Sequence, residues 1–211
     1  MKTLIHPTYF PNIVTCAIMA QKDVIWEVED NYQKQTYRNR CYICTDRGRH
    51  LMSIPVKHVG GNHGRQKYKD VRLDNDYQWQ RQHWRTLETA YRTSPFFEFY
   101  EDELYAVFDK SFEFLLDFNL NAIQVINSCL QIDTGMARTA SYEITVTDEV
   151  SDGRFLVRSK QEQGFLQEPY EQVFSDRHGF VKNTSVLDLL FNEGTNALTY
   201  LKNFNLDFLN A

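Results

Sequence analysis

Residues 3–28 read TLIHPTYFPNIVTCAIMAQKDVIWEV, and their pattern is the clearest indication of the fold in the sequence. The apolar run at 3–10 predicts a first strand, which Pro11 ends. Proline also suits the first turn of a helix, and one apolar helical face follows at Ile13, Cys16, Ala17 and Ala20. Residues 24–28 predict a second strand. Strand, helix and strand in this order form a βαβ unit, which favours two parallel strands.

The next part of the chain predicts three more strands and a loop. The runs at 37–45 and 50–56 flank Asp46-Arg47-Gly48, a connection that is typical of a β-hairpin. The glycine-rich segment 59–66 predicts a flexible loop, and residues 68–73 predict a further strand.

A helical segment follows, because the apolar residues now repeat with the period of a helix. Asp76 is a candidate N-cap, a second helix is expected near Ser94-Pro95, and a third over 111–131. The last part of the chain predicts short strands at 142–147, 154–157 and 170–174, a helix that Ser185 caps, and a terminal helix near Thr195. We therefore predict an α/β fold: a single domain over residues 1–211 with a mixed, partly parallel sheet flanked by helices and a helical middle segment.

Composition and charge limit the class of protein. Aromatic residues make up 14% of the 211 residues, which argues against disorder. A formal charge of −5 gives no long-range attraction for nucleic acid or anionic lipid, so we expect neither as a partner. The polar N-terminus predicts no signal peptide, and no apolar run is long enough to span a bilayer. The expectation is a cytoplasmic protein without membrane insertion.

The cysteines suggest one further site, at the C-x-x-C of Cys41 and Cys44. A zinc or redox site is not supported, because no second C-x-x-C is present to complete it and positions i and i+3 of a strand face opposite sides. We therefore expect no metal site, and the sequence leaves the cofactor open.

A dense polar cluster follows the second predicted strand: Glu27, Glu29, Asp30, Asn31, Tyr32, Lys34, Tyr37, Asn39 and Arg40. Ligands bind outside the carboxyl ends of parallel strands, and the first strand would bring His6 and Tyr9 to the same edge. Arg40 and Lys34 suit an anionic substrate. Glu27 and Glu29 alternate on a strand, so the pair could raise one pKa or hold a divalent ion. The alternative is a solvated face of an edge strand.

Two histidines have plain alternatives to a catalytic role. His6 lies in an apolar run, where a histidine is more often a satisfied core residue than a general base. Lys57 and His58 precede the glycine-rich segment, whose basic residues could close over phosphates. Neither standard nucleotide signature, G-x-x-x-x-G-K-[ST] or G-x-G-x-x-G, is present.

Five motifs, in order along nearly the whole chain, give a resemblance to a known family. They are HPTYFP at 6–11, EDNYQKQTYRNR at 29–40, IPVKH at 54–58, AYRTSPFF at 90–97 and SVLDLLFNEG at 185–194. The chain resembles the WbqC-like protein family. It departs from the family pattern at Val14-Thr15, where Gly-Tyr is common, and at Tyr37, where Trp is usual. The family takes its name from genes in clusters for O-antigen and other surface polysaccharides, which implies a cytoplasmic role in making or modifying a sugar precursor.

Three functions remain open at this point. The first is an enzyme of sugar-precursor or surface-polysaccharide biosynthesis, a small-group transferase acting on an activated sugar such as a nucleotide sugar. In it Glu29 is the acid/base or ion-holding group, Arg40 and Lys34 bind the anion, and His6 and Tyr9 orient the substrate. The remaining substrate-binding candidates are Glu27, Tyr32, Tyr37, Asn39, Lys57 and His58. A second is a nucleotidyltransferase-like enzyme of the HIGH type, although His-x-Gly-His is absent. A third is a non-catalytic binding or assembly module. The oligomeric state is open in all three.

Overall fold

The computed structural model describes residues 2–57, 66–160 and 164–210, so the predicted glycine-rich loop lies outside the described residues except for Gln66. The predicted βαβ unit is confirmed. Strand β1 spans Lys2–Ile5, helix α1 spans Ile13–Gln21 and strand β2 spans Val24–Trp26. The two strands pair in parallel, with Thr3 opposite Val24.

Strand β1 is shorter than the predicted first strand, and the residues after it turn into the helix. Pro7 cannot donate to a sheet ladder, and Phe10 has a positive φ of 37°, so neither suits a continued strand. Asn12 then caps α1, because its side chain accepts a hydrogen bond from the backbone N–H of Thr15 at 2.9 Å.

A third parallel strand, β5 at Val150–Asp152, completes the sheet in the order β2-β1-β5. The strands predicted at 142–147 and 154–157 are therefore wrong. Arg154–Val157 forms a 3₁₀ turn, and residues 142–147 form no ladder. The alternating apolar residues of the latter segment point outward instead, and Ile144 is 83% exposed.

The second sheet is the predicted hairpin. Strand β3 at Arg40–Thr45 pairs antiparallel with β4 at Gly48–Ser53. Gly48 has φ +87°, a conformation that favours glycine and closes the tight turn.

The helical part comprises α2 at Trp79–Tyr91, α3 at Phe97–Asp109, α4 at Leu115–Leu130, α5 at Ser175–His178, α6 at Val186–Glu193 and α7 at Asn196–Lys202. Ser185 caps α6 as predicted, whereas Gln78 rather than Asp76 precedes α2. No helix among the described residues has the length and apolar character needed to cross a membrane.

Two further predicted strands are wrong. Residues 68–70 form a 3₁₀ turn rather than part of a strand, and 170–174 form no ladder. The backbone N–H and C=O of Val181 bond to the side chain of Gln172, so side-chain bonds replace a ladder there.

The core joins these elements, with α1 packed on α6 and α7 and with α3 packed on α2 and α4. Every residue from Ile13 to Met19 in α1 is buried. The predicted α/β class, with a partly parallel sheet, flanking helices and a helical middle segment, is confirmed. The extent of the domain over residues 1–211 stays a prediction.

Gly153 lets β5 approach β1 closely. A Cβ on Gly153 would lie 2.7 Å from Cγ2 of Ile5 and 3.2 Å from the backbone oxygen of Leu4. We expect Gly153→Ala to lower the free energy of unfolding by about 1–3 kcal/mol, because the added methyl group overpacks this contact. Gly164→Ala is the control, since no described residue other than its chain neighbours lies within 4 Å of its Cβ position. Urea unfolding measures both variants, and equal values for the two would contradict the prediction.

Candidate functional site

All three parallel strands end at one edge of the sheet, and chemically active side chains follow each end. His6 comes directly after β1, Glu27 directly after β2, and Asp152 ends β5. A cleft of about 320 Å³ opens at this edge. Its lining residues are His6, Asp30, Gln33, Arg38, Tyr142, Ile144, Asp152, Arg154, Phe155, Val157 and Arg158. This is the position in which open parallel sheets bind ligands.

His6, Asp30 and Arg38 meet at one point of the cleft wall. Nη2 of Arg38 lies 2.6 Å from Nε2 of His6 and 2.5 Å from Oδ2 of Asp30, and the latter two atoms are 3.0 Å apart. His6 is 3% exposed and Arg38 is 0% exposed. Because a guanidinium only donates, Nε2 accepts from Arg38 and a neutral ring carries its hydrogen on Nδ1. That nitrogen is buried and has no partner among the described residues.

The environment keeps His6 neutral and Asp30 ionised. Burial, followed by the charge of Arg38, lowers the pKa of His6 from 6.5 to about 4. Burial opposes ionisation of Asp30, but the hydrogen bond from Arg38 and the charge of its guanidinium hold the pKa of that carboxyl below its usual value. At neutral pH the cleft wall therefore contains the neutral imidazole of His6, which contacts both the buried guanidinium of Arg38 and its counterion Asp30.

Arg154 is a structural clamp on the other side of the cleft. Its Nε and Nη2 bond to the two carboxylate oxygens of Asp152 at 2.9 and 2.6 Å. Nη1 and Nη2 also donate to the backbone oxygens of Glu143 and Ile144 at 2.6 and 3.0 Å. Oε2 of the fully buried Glu27 lies 3.8 Å from Nη1. The side-chain nitrogens of Arg154 are thus already engaged within the protein.

The segment before β5 lies along the end of β2. The N–H of Trp26 donates to the oxygen of Ala137 at 2.8 Å, and the N–H of Thr139 donates back at 3.0 Å. Together with the clamp on Glu143 and Ile144, these bonds bring Tyr142 and Ile144 to the cleft, where both side chains remain exposed. This segment was the least predictable part of the sequence, and it supplies one wall of the cleft.

Tyr9, a predicted orienting group, lies in the core rather than in the cleft wall. It is 1% exposed, and its hydroxyl lies 2.7 Å from Nδ1 of His83. Burial lowers the pKa of His83 to about 4, so its ring is neutral and accepts the tyrosine hydrogen.

Glu29, the predicted acid/base group, faces two lysines. Its oxygens lie 2.8 Å from Nζ of Lys67 and 2.6 Å from Nζ of Lys69, and these hydrogen bonds lower the pKa of its carboxyl. Oε1 of Glu27 instead accepts from the N–H of Glu29 and from Thr139. The two carboxylates therefore take different partners. Among the described residues, no group of three histidine, cysteine, aspartate or glutamate side chains could hold a metal ion.

The other predicted substrate-binding residues have varied surroundings. Tyr32 stacks on Tyr68, and Tyr37 packs edge-on against Tyr42. The amide of Asn39 donates to the oxygen of Ile54 at 3.1 Å. Lys34 and Lys57 are exposed and Arg40 is half-buried, while His58 lies outside the described residues.

Among the residues that line the cleft, sequence reasoning gave a role only to His6 and missed charged residues such as Asp30, Arg38, Asp152 and Arg154. Asp30 was visible as part of the polar cluster. Arg38 was missed because an arginine among polar residues in the sequence gives no indication that it is completely buried. Asp152-Gly153-Arg154 carries a signal, an acid and a base at a strand end, but only once β5 is placed correctly.

The two buried histidines predict a pH dependence of stability. Unfolded histidines bind a proton near pH 6.5, whereas folded His6 and His83 bind it only near pH 4. The unfolded state thus binds more protons between these values, so the free energy of unfolding should fall as the pH falls from 6.5 to 4. The expected loss is up to about 3 kcal/mol for each histidine.

Urea unfolding over this pH range measures the effect. His83→Gln should show a shallower slope than the wild type, and His50→Gln, at an exposed position of β4, is the control. Equal slopes in the wild type and His83→Gln would contradict the assignment of His83.

Comparisons with known proteins identify the family of the chain. The sequence model of the WbqC-like protein family matches residues 6–165, a range that begins directly after β1 and contains β2, β5 and every residue lining the cleft. An uncharacterized protein of Mycobacterium tuberculosis (strain ATCC 25618 / H37Rv), Rv1507c, is 28% identical in an alignment that covers 81% of this chain and 84% of that protein. No solved structure is significantly similar to the chain.

Proposed function

Since the chain belongs to the WbqC-like protein family, we propose that it is an enzyme of sugar-precursor or surface-polysaccharide biosynthesis, a small-group transferase that acts on an activated sugar. The observation that carries this proposal is His6: a neutral imidazole, in contact with Arg38 and Asp30 at the carboxyl edge of a parallel sheet, whose Nδ1 has no partner among the described residues. A perturbed pKa in a cleft is typical of functional sites.

His6 has a specific role in the proposal. Its Nδ1 hydrogen is available for an oxygen of the substrate, and a hydrogen bond from a neutral imidazole stabilises negative charge that develops there. Arg38 holds the neutral ring in position by donating to Nε2, and Asp30, which accepts from Arg38, would stabilise the ring if it became a cation. Arg38 supplies the positive charge that an anionic substrate needs.

The substrate class follows from the cleft. Its volume of about 320 Å³ suits part of a small molecule, and Tyr142 and Phe155 offer apolar surface beside the charged groups. We propose a nucleotide sugar, whose anionic and ring-shaped parts match these two kinds of surface. Nucleic acid is not a partner in this proposal, and the enzyme works in the cytoplasm without membrane insertion.

A binding screen followed by a transfer assay tests this function. Nucleotide sugars that stabilise the wild type against heat are assayed for group transfer with the wild type, His6→Gln and His50→Gln. We expect His6→Gln to bind the hit and to lose about a hundredfold to a thousandfold in turnover. His50→Gln, at an exposed histidine, should retain wild-type turnover. Turnover of a correctly folded His6→Gln equal to that of His50→Gln would refute the role of His6.

A second candidate function is a non-catalytic binding module. A groove of about 780 Å³ lies between α2 and α3, and Tyr77 and Tyr105, exposed by 65% and 46%, line it together with Trp84. Exposed aromatic surface of this kind favours an interaction site. Ligands or partners that bind only in this groove, with no effect of substitutions at His6, would support the module over the enzyme.

A further inference from the structure

Tyr68 lies next to the contact between His6 and Arg38. It is completely buried, and its hydroxyl donates to the backbone oxygen of Pro7, which directly follows His6, at 2.8 Å. Cζ of Arg38 lies 5.3 Å from the centroid of the Tyr68 ring, a distance at which an aromatic ring attracts a guanidinium. Tyr68 therefore contacts both the residue beside His6 and the side chain that donates to His6.

Asn119 in α4 joins Tyr68 to the backbone of Arg38. Its amide nitrogen is buried and donates to the hydroxyl of Tyr68 at 2.6 Å and to the backbone oxygen of Arg38 at 2.7 Å. An amide nitrogen has two hydrogens, so both bonds form at the same time, and the Tyr68 hydroxyl keeps its own hydrogen for Pro7. The three hydrogen bonds are thus mutually consistent, and they connect Arg38 to the segment that carries His6.

The position of Arg38 decides which nitrogen of His6 carries the ring hydrogen. Nε2 of His6 has a donor, Nη2 of Arg38, at 2.6 Å and an acceptor, Oδ2 of Asp30, at 3.0 Å. While the guanidinium donates to Nε2, the hydrogen of the neutral ring is on Nδ1. If Arg38 moved away, Nε2 would face only the carboxylate, which accepts, and the ring hydrogen would move to Nε2. Nδ1 would then change from a donor into an acceptor.

We propose that Tyr68 and Asn119 are positioning residues that set the tautomer of His6 by holding Arg38 against Nε2. Both act through Arg38 and through the backbone at Pro7, without touching the ligand themselves. Their role in turnover rests on the proposed function, because the proposed reaction uses the hydrogen on Nδ1. Their effect on the tautomer does not depend on that function.

NMR of the ligand-free protein with ¹⁵N-labelled histidine at pH 7 tests this role, because a ring nitrogen shifts strongly when it gains or loses its hydrogen. We expect the hydrogen of His6 on Nδ1 in the wild type. Asn119→Ala and Tyr68→Phe should each raise the ratio of the Nε2–H to the Nδ1–H tautomer about tenfold, since each removes hydrogen bonds that hold Arg38 in place.

Turnover of the nucleotide sugar is the second measurement. Asn119→Ala should lower kcat about tenfold with little change in KM, and it should have no further effect in a His6→Gln background. Asn127→Ala is the control for both measurements, because this amide lies on the same helix but donates to Oγ1 of Thr134 at 2.8 Å. Tyr68→Phe removes one hydroxyl and keeps the ring, so it tests the role even if Asn119→Ala does not fold.

Three results would overturn the positioning role. They are a wild type with its hydrogen on Nε2 of His6, a tautomer ratio that Asn119→Ala and Tyr68→Phe leave unchanged, and a loss of turnover by Asn119→Ala that is equally large in the His6→Gln background. The proposed function is refuted separately, by a changed tautomer ratio in a protein without transfer activity. An unchanged ratio with His6-dependent turnover intact would refute the positioning role alone.

Discussion

Asp30→Ala should lower the free energy of unfolding by about 3–5 kcal/mol at pH 7, because it leaves the buried guanidinium of Arg38 without its carboxylate partner. Arg38 is 0% exposed, and the Asp30 side chain is only 15% exposed, so water cannot replace the lost charge fully. The contact of 2.5 Å between them is a charge-assisted hydrogen bond. Urea unfolding, with circular dichroism as the readout, measures the change.

A matched surface pair provides the control for Asp30. Glu113 pairs with Arg72 at 2.5 Å, but both side chains are more than half exposed. Glu113→Ala should therefore cost less than about 1 kcal/mol. The double variant Asp30→Ala/Arg38→Met should recover part of the loss, since it removes the uncompensated charge as well. If Asp30→Ala cost no more than Glu113→Ala, the ion pair would not matter to the fold.

Asp188→Ala should destabilise the protein by about 4 kcal/mol or more, at a distance from the cleft. The carboxylate is fully buried and accepts from the hydroxyls of Tyr91 and Tyr170 and from the amide of Gln172, at 2.7, 2.6 and 2.7 Å. Burial raises the pKa of Asp188, and the donors oppose that rise. Removing the carboxylate leaves several buried donors unsatisfied, each at a cost of about 1–3 kcal/mol.

Asp188→Asn is the comparison variant, because it keeps one oxygen as an acceptor in the same volume. It should lose less than Asp188→Ala in thermal and urea unfolding. This network joins α2, α6 and the segment around Tyr170, so the loss should appear as global unfolding rather than local opening. A free energy of unfolding for Asp188→Ala within about 1 kcal/mol of the wild type would contradict the account.

The sequence predicted those parts of the fold in which local patterns decide the structure. The βαβ order at 3–28, the hairpin around Gly48 and the cap at Ser185 all depend on residues close in the chain. Strand β5 has only three residues, Val-Ser-Asp, and exists because β1 offers a free edge more than 140 positions earlier, where Lys2 pairs with Val150. No local period can indicate such a pairing.

The candidate site was predictable in position but less so in composition. The rule that ligands bind at the carboxyl ends of parallel strands led to His6 and Glu27, which follow β1 and β2. Strand β2 ends at Trp26, so the alternation assumed for Glu27 and Glu29 does not continue, and Asp30 instead contacts His6. Arg38 and Arg154 reach the cleft through long-range packing, which residue type alone does not reveal.

The most direct test of the central claim, that the cleft beside His6 binds the small-molecule substrate, is NMR of protein with ¹⁵N-labelled histidine and tryptophan. A nucleotide sugar identified by thermal shift is titrated in while the ring nitrogens of His6 and of the exposed His50 are followed. The account predicts that Nδ1 of His6 shifts in proportion to saturation while His50 does not move. Saturation without any change at His6, accompanied by a shift of the Trp84 indole in the groove between α2 and α3, would contradict it.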